Sequence, residues 1–350
     1  MYRVLTRKVF SWDILIDGVH FGNSEIISAN INCSADGIGK SGCVSACLKT
    51  SLVNGGMDFS DNAEVTVTNS EGFVCQKFYI DTRSVSYDGS VTELVCYDKL
   101  NYSDIAFDYS GFVSAAEGAV KVAVGNVLSV VSSQLGVSVG DVPFGEKQMD
   151  LSQLKDKTVR DVLNLISEQN VGYWFVNGSG ALEFAALGSY TAVLPVNKNS
   201  AISGGSVKEI SRVIMRDSLD GKEYDTLGGT SQAAMLIISA EDVDSEMASA
   251  VLNRVNGKAF KAFSCSCLLS GYGRVYSDFG GLIVTSVSQN LTAGGIFAAV
   301  GASSFAESEY DYGGFYRTQL DRRIAKNALY HNCAITTDKG FVFYDYEEAE

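Results

Sequence analysis

The segment from Ala63 to Tyr109 limits the choice of fold more than any other part of the chain. Apolar residues alternate with polar ones at Val65 and Val67, again at Phe73, Cys75 and Phe78 to Ile80, and again at Val91, Leu94 and Cys96. A period of two puts every second side chain on one face, the pattern of a strand with one buried side. Between the last two runs, Tyr87-Asp88-Gly89 supplies an Asp-Gly pair, and the favoured two-residue hairpin turn needs positive φ at both central residues. The segment reads as a β-meander and excludes a helix bundle.

Composition narrows the classes further. A chain of 350 residues predicts two or three compact units. With 35 glycines against 2 prolines, it fits β-rich structure joined by glycine turns. A net charge of -14 argues against a surface that grips phosphates, which needs clustered Lys and Arg, so no sequence-specific nucleic-acid binding is expected.

The cysteines stand at 33, 43, 47, 75, 96, 265, 267 and 333 without a C-x-x-C repeat. Several fall on apolar strand positions, which predicts reduced core thiols rather than a disulfide framework. At the N-terminus Asp13 interrupts the apolar run, so no signal peptide is expected. The most apolar long segment, Phe112 to Leu135, contains Glu117, Lys121 and two glycines, and is not read as a membrane span. In a chain made and kept in the cytosol, the sequons at Asn101, Asn177 and Asn290 are chance products of a Ser/Thr-rich sequence.

Taken in order, residues 1–105 read as a first β domain. A strand from Val9 to Ile16 closes at Asp17-Gly18, and another from Val44 to Leu52 ends at Asn54-Gly55-Gly56. Between them the glycine-rich run Ser34 to Gly42 holds Gly39-Lys40-Ser41. A phosphate-loop reading fails there: Ser34 stands where the motif's first glycine belongs, and a strand follows instead of a helix N-terminus.

Residues 106–196 change period. Val113, Ala116, Val120, Val124, Val127, Val131 and Leu135 predict one amphipathic helix, which Gly118 and Gly125 weaken by about 1 kcal/mol each. A second helix starts at Thr158, with Asp161 completing a capping box and Val159, Val162, Leu163 and Ile166 as its buried stripe. It stops near Asn170-Val171-Gly172. Tyr173 to Phe184 then reads as two strands about an Asn177-Gly178 turn.

Residues 197–305 return to strands. Val207 to Arg216 alternates, Asp220-Gly221 turns the chain, and Met235 to Ile238 continues the sheet. A helix from Asp242 to Val255 has Val243, Met247, Ala250 and Val251 as its stripe and Gly257 as its stop. Strands follow at Ala262 to Leu269, Gly281 to Val287 and Ile296 to Ala302. Residues 306–350 form a C-terminal extension with Tyr310, Tyr312, Phe315 and Tyr316, a short helix from Gln319 to Leu329 and a hairpin about Asp338-Lys339-Gly340.

Reactive chemistry finds little support. His20 and His331 are the only histidines, and neither lies near a G-x-S-x-G elbow. Two histidines with no suitable cysteine spacing do not make a zinc site. Asp242, Asp244 and Glu246 resemble the start of a calcium loop but lack its glycine and distant Glu, so they read as acids at a helix N-terminus. No catalytic, metal or cofactor-binding residue is assigned. A carboxylate pair for glycoside hydrolysis stays open, because 41 acids always permit some pair.

Long strands that end in the step Tyr97-Asp98-Lys99-Leu100-Asn101-Tyr102, followed by a helix and the aromatic hairpin from Thr158 to Phe184, resemble the tail-hub proteins of phages and phage-tail-like particles. The trimeric part of VgrG spikes is related to the same family. The resemblance covers residues 40 to 305. It implies an α+β, mainly β fold of two tube-like β-barrel domains with a small helical and hairpin domain inserted between them.

It further implies a structural baseplate hub and not an enzyme, with no cofactor. Three copies, each supplying two similar barrels, would form a ring around a central channel and adapt a sixfold tail tube to a threefold spike. The implied partners are further copies of the chain, the tail tube protein, a spike or tail-tip protein and other baseplate proteins. The implied location is a virion tail or tail-like particle assembled in the bacterial host cytoplasm. Two other readings stay open: a carbohydrate-binding tail-tip adhesin using Trp174 or the 310–316 aromatics, and a cell-wall glycoside hydrolase.

Overall fold

The computed structural model describes residues 11–53, 57–70, 74–86, 88–113, 121–189, 193–199, 202–205, 208–228, 234–303, 334–337 and 340–343. Residues 1–305 form one compact unit and residues 306–350 another. The fold is α+β and mainly β, with few helices.

The meander stands as read in its three strands, but Thr92 and not Val91 takes the buried position before Leu94, and Phe73 lies outside the described residues. Glu64–Asn69, Val74–Val85 and Val91–Tyr97 are consecutive antiparallel strands, and Val65, Val67, Phe78, Ile80, Leu94 and Cys96 all point into the core. The turn after Val85 differs from the reading. Of the Asp-Gly pair only Gly89 has positive φ (71°), and Asp88 acts through its carboxylate, which accepts from the Ser90 N–H and from the hydroxyls of Ser86 and Ser90. A side-chain turn replaces the mirror-image backbone turn. The expected two-residue geometry occurs instead at Asp17-Gly18, with φ of 49° and 82° and Ile16 facing Val19.

Among the described residues twelve strands join into one sheet, and both β segments contribute to it. Ser286–Thr292 of the second segment pairs antiparallel with Ile26–Ser34 of the first, from Ser286 opposite Ser34 to Asn290 opposite Asn30. Neither Ile26–Ser34 nor most of Ser286–Thr292 is read from the sequence, although Ala29, Ile31 and Cys33 alternate with Asn and Ser. Asparagine is a poor strand former and masks the period.

The sheet curls. Trp12–Ile16 lies six places along the strand order from Ser286–Thr292, about 29 Å away in a flat sheet. Yet the Trp12 Nε1–H donates to the Thr292 carbonyl at 2.8 Å. A side chain spans that gap only if the intervening strands wrap into a tube.

The second β segment adds Phe263–Leu269 and Gly295–Ala302 to the long sheet and forms a smaller sheet whose buried residues share its core. Lys208–Asp217 pairs antiparallel with Glu223–Leu227 and parallel with Ala234–Ala240. The expected strand from Gly281 to Val287 is two pieces, a short hairpin arm at Leu282–Ile283 and the longer strand from Ser286.

Four α-helices, Ser110–Val113 (α1), Val124–Leu135 (α2), Val159–Asn170 (α3) and Ser245–Val255 (α4), and two short 3-10 helices, Lys99–Tyr102 and Leu151–Leu154, complete the described structure. The single helix expected from Val113 to Leu135 is corrected: Lys121–Ala123 is a strand paired with Gln148–Asp150, and Val122 is buried there. Ala116 and Val120 lie outside the described residues. Gly125 sits in the first turn of α2, where its N–H donates to Gly145 O at 2.8 Å and a Cβ would stand 3.2 Å from that oxygen. The glycine permits a close approach and does not weaken a helix middle.

Helix α3 follows its sequence signals. Thr158 is the cap, Asp161 returns the bond to the cap N–H, and Val159, Val162, Leu163 and Ile166 are buried. Helix α4 begins later than expected: Asp244 caps it, Asp242 lies outside at φ 54°, and Ala248 faces the core where Ala250 was expected, Ala250 being exposed.

Gly172–Val176 separates two cores because it is buried on both faces. Tyr173 and Phe175 join the core shared by both β segments, while Trp174 and Val176 join the core of α2 and α3. Its turn is another correction: Gly180 carries the positive φ (86°), and the Asn177 side chain accepts from the N–H groups of Ser179 and Ala181. In the second unit, Ala334–Thr337 pairs with Gly340–Phe343, the hairpin expected about residue 338. The expected 319–329 helix lies outside the described residues.

Candidate assembly face

Asp98, from the step that carries the resemblance, is 1% exposed and ties separate parts of the chain together. Its Oδ2 accepts from the Ala46 N–H and from Gln76 Nε2, each at 2.8 Å, and its Oδ1 accepts from the Leu100 N–H at 3.1 Å. Gln76 in turn accepts from Tyr272 Oη at 2.6 Å. Gly273 exchanges two hydrogen bonds with Gln289.

One polar chain thus runs from the first β segment into the second. Burial pushes the Asp98 carboxyl up to about 7, against the pull of the N–H donors from Ala46, Leu100, Gln76 and Asn101. A buried polar group this well satisfied specifies one packing of its surroundings.

The long sheet buries one face and exposes the other, and the exposed face has two characters. Across Phe263–Leu269, Gly295–Ala302, Ser286–Thr292 and Ile26–Ser34, the registers line up three rows: Ser264, Gly301, Ser286, Ser34; Ser266, Ala299, Ser288, Asn32; and Leu268, Phe297, Asn290, Asn30. No acid or base stands in them. Most of these side chains are small, Phe297 is 48% exposed, and a shallow groove of about 430 Å³ runs over Asn32, Ser288 and Ala299.

The same rows continue onto the first segment and become charged and aromatic. Asn32 leads to Cys47, Tyr97, Tyr79 and Glu64, and Asn30 leads to Lys49 and Val95. Lys77 pairs with Glu64 at 2.8 Å, and Lys99 Nζ stands 3.9 Å over the Tyr79 ring.

The residues weighed for chemistry do not come together. His20 meets Asp13 at 2.8 Å on the surface of a hairpin, and His331 lies outside the described residues. Asp244 and Glu246 serve the start of α4. No cluster of three His, Cys, Asp or Glu that could hold a metal occurs among the described residues. The glycine-rich loop leads into Gly42–Cys43, which pairs parallel with Tyr173 and Trp174, so a strand follows it.

Trp174 is corrected as a sugar platform: it is fully buried, donates to Leu163 O at 3.0 Å and packs against Phe184 and Phe144. The 310–316 aromatics lie outside the described residues. No disulfide joins the six cysteines whose side chains are described, and burial holds the Cys33 and Cys96 thiols up at about 12. No described helix is long and apolar enough to cross a membrane.

Asp98 and Gln289 as structural keys are not legible as such in the sequence. The one signal is a polar residue at an apolar strand position, which Gln289 shows between Val287 and Leu291.

No protein-family model and no curated protein sequence matches the chain. Solved structures do. The 43 kDa tail protein of prophage MuSo2 from Shewanella oneidensis superposes with a TM-score of 0.53 at 14% identity, covering 83% of this chain and 97% of that one. A tail protein from Neisseria meningitidis MC58 gives 0.50 at 11% identity, covering 85% and 97%. The prophage tail protein gp18 from Listeria monocytogenes EGD-e gives 0.52 at 8% identity, covering 90% and 99%. The resemblance carried by the ordered strands, helix and aromatic hairpin is therefore one of fold, and the chain has the fold of prophage tail proteins.

Proposed function

We propose that the chain is a structural hub of a phage tail or tail-like particle, acting through interfaces and not through a reactive residue. The observation that carries this reading is the continuous curled sheet to which both β segments contribute, in a fold shared with prophage tail proteins. Three copies form a ring, each giving two tube-like domains, at residues 1–105 and 197–305, about a middle domain at 106–196. Six near-equivalent positions then meet a sixfold tail tube, and the threefold axis meets a spike or tip. The curled sheets build the wall of a central channel.

Assembly with tail components tests this. The purified chain is mixed with preformed tail tubes from the same particle and imaged by electron microscopy. The reading expects a cap at one tube end. Tubes whose ends stay bare at every ratio, with the folded chain free in solution, contradict it.

A further inference from the structure

We propose that the acid-free face centred on Phe297 and Ala299 is the contact by which one copy of this chain packs on the next. The inference rests on the ring reading and names its surface.

Charge selects the occupant. Each copy carries a net charge of -14, so copies repel unless they meet where neither like charges nor their desolvation intervene. The three rows hold no charged residue across strands Phe263–Leu269, Gly295–Ala302, Ser286–Thr292 and Ile26–Ser34, whereas their continuations bring in Lys198 opposite Leu268 at one end and Lys49 and Glu64 at the other. A basic partner gains most from the acid-bearing surface and least from this one. A second copy of the same acidic chain gains most here.

The anatomy agrees. Interface centres are depleted in charge and enriched in aromatics, with small polar groups around them. Phe297 is 48% exposed on a structured strand, with Leu268, Ala299 and Asn290 beside it. The groove of about 430 Å³ over Ser288 and Ala299 receives side chains from an opposing surface.

The sheet's edges favour a face over an edge as the contact. One end of the strand order is the four-residue Val19–Gly22, and the other is Val196–Asn199, preceded by Pro195 and bulged between Val196 and Lys198. Short strands, a bulge and a proline are how proteins stop a sheet from growing edge to edge. Packing this face on a different surface of the next copy is heterologous, and such contacts close into rings.

Analytical ultracentrifugation and end-on electron microscopy of the full chain test the contact, alone and with tail tubes. The double variant Ala299→Glu, Ser288→Glu is compared with wild type and with Thr66→Glu, which places a single added charge on the first segment. Wild type and Thr66→Glu are expected to assemble, and the double variant to sediment as a monomer with an unchanged thermal midpoint. Phe297→Ser, which removes one exposed ring, is expected to weaken assembly and gives the answer should the double variant fail to fold. Assembly of wild type, double variant and Phe297→Ser alike overturns the face and leaves the ring standing. A wild-type chain that never associates overturns both.

Discussion

On its buried side, Cys47–Val53 in the first segment presents Leu48, Thr50 and Leu52, while Gly295–Ala302 in the second presents Ile296, Ala298, Val300 and Ala302. On their exposed sides the first offers Lys49 and Ser51, and the second offers Phe297 and Ala299, with no charged residue on the two strands that flank it, Phe263–Leu269 and Ser286–Thr292. Buried faces answer to the same demand, removal of apolar area from water, and so come out alike. Exposed faces answer to what they meet. On the proposed hub reading, the difference between them reports different surroundings in the assembled state and not different folding.

The largest effect is expected where the two halves are tied. Asp98→Ala leaves the Ala46 and Leu100 N–H groups and the Gln76 amide without their acceptor, and is expected to destabilise by about 4 kcal/mol in urea unfolding. A change below about 1 kcal/mol would mean that the halves hold together without it.

The tie also carries a pH signature. The folded carboxyl titrates at about 7, above its unfolded value, so the contribution of Asp98 is fully present below the unfolded value and lost as pH rises through 7. The shift corresponds to roughly 4 kcal/mol. Stability of wild type relative to Asp98→Asn should therefore fall between pH 4 and 7 and level off above; a flat difference contradicts the buried, raised carboxyl.

Next come the buried faces. Leu48→Ala and Ile296→Ala should each cost about 3 kcal/mol, because both are at most 2% exposed in one shared core. Unequal costs, measured as shifts in denaturation midpoint, would break the equivalence of the two buried faces.

Tyr272→Phe removes the hydroxyl that donates to Gln76 and is expected to cost about 1 kcal/mol. The smallest effects belong to the exposed faces. Lys77→Ala breaks an exposed pair with Glu64, and Ser288→Ala removes one half-buried hydroxyl; both should stay within about 0.5 kcal/mol. If Ser288→Ala changes assembly while Lys77→Ala does not, the comparison sharpens into a division of labour between the faces.

How much of this was legible depended on whether the signal was local. The α3 capping box at Thr158 and Asp161 and the Asp17-Gly18 turn are set by residues adjacent in sequence, and both stand as read. The helix expected from Val113 to Leu135 failed because helical spacing counts apolar positions without knowing that Gln148–Asp150 offers Val122 a strand partner. The joining strand Ile26–Ser34 carried a period-two signal blurred by Asn30 and Asn32.

The parallel partner of Lys208–Asp217 and the burial of Asp98 depend on segments far apart in the chain, which no local pattern encodes. Trp174 was misjudged because a run of five apolar or glycine residues can be buried on both faces, and alternation gives no warning of it. The candidate face was hidden for the opposite reason: Ser, Asn, Ala and Gly read one at a time as ordinary surface, and only the register lines them up across four strands.

The ring is tested most directly by electron microscopy of the purified full chain at high concentration, alone and with its tail-tube and spike partners, with end-on views classified by symmetry. Threefold rings with pseudo-sixfold lobes and a central opening are the predicted result. Folded particles that remain single copies in every mixture would contradict it.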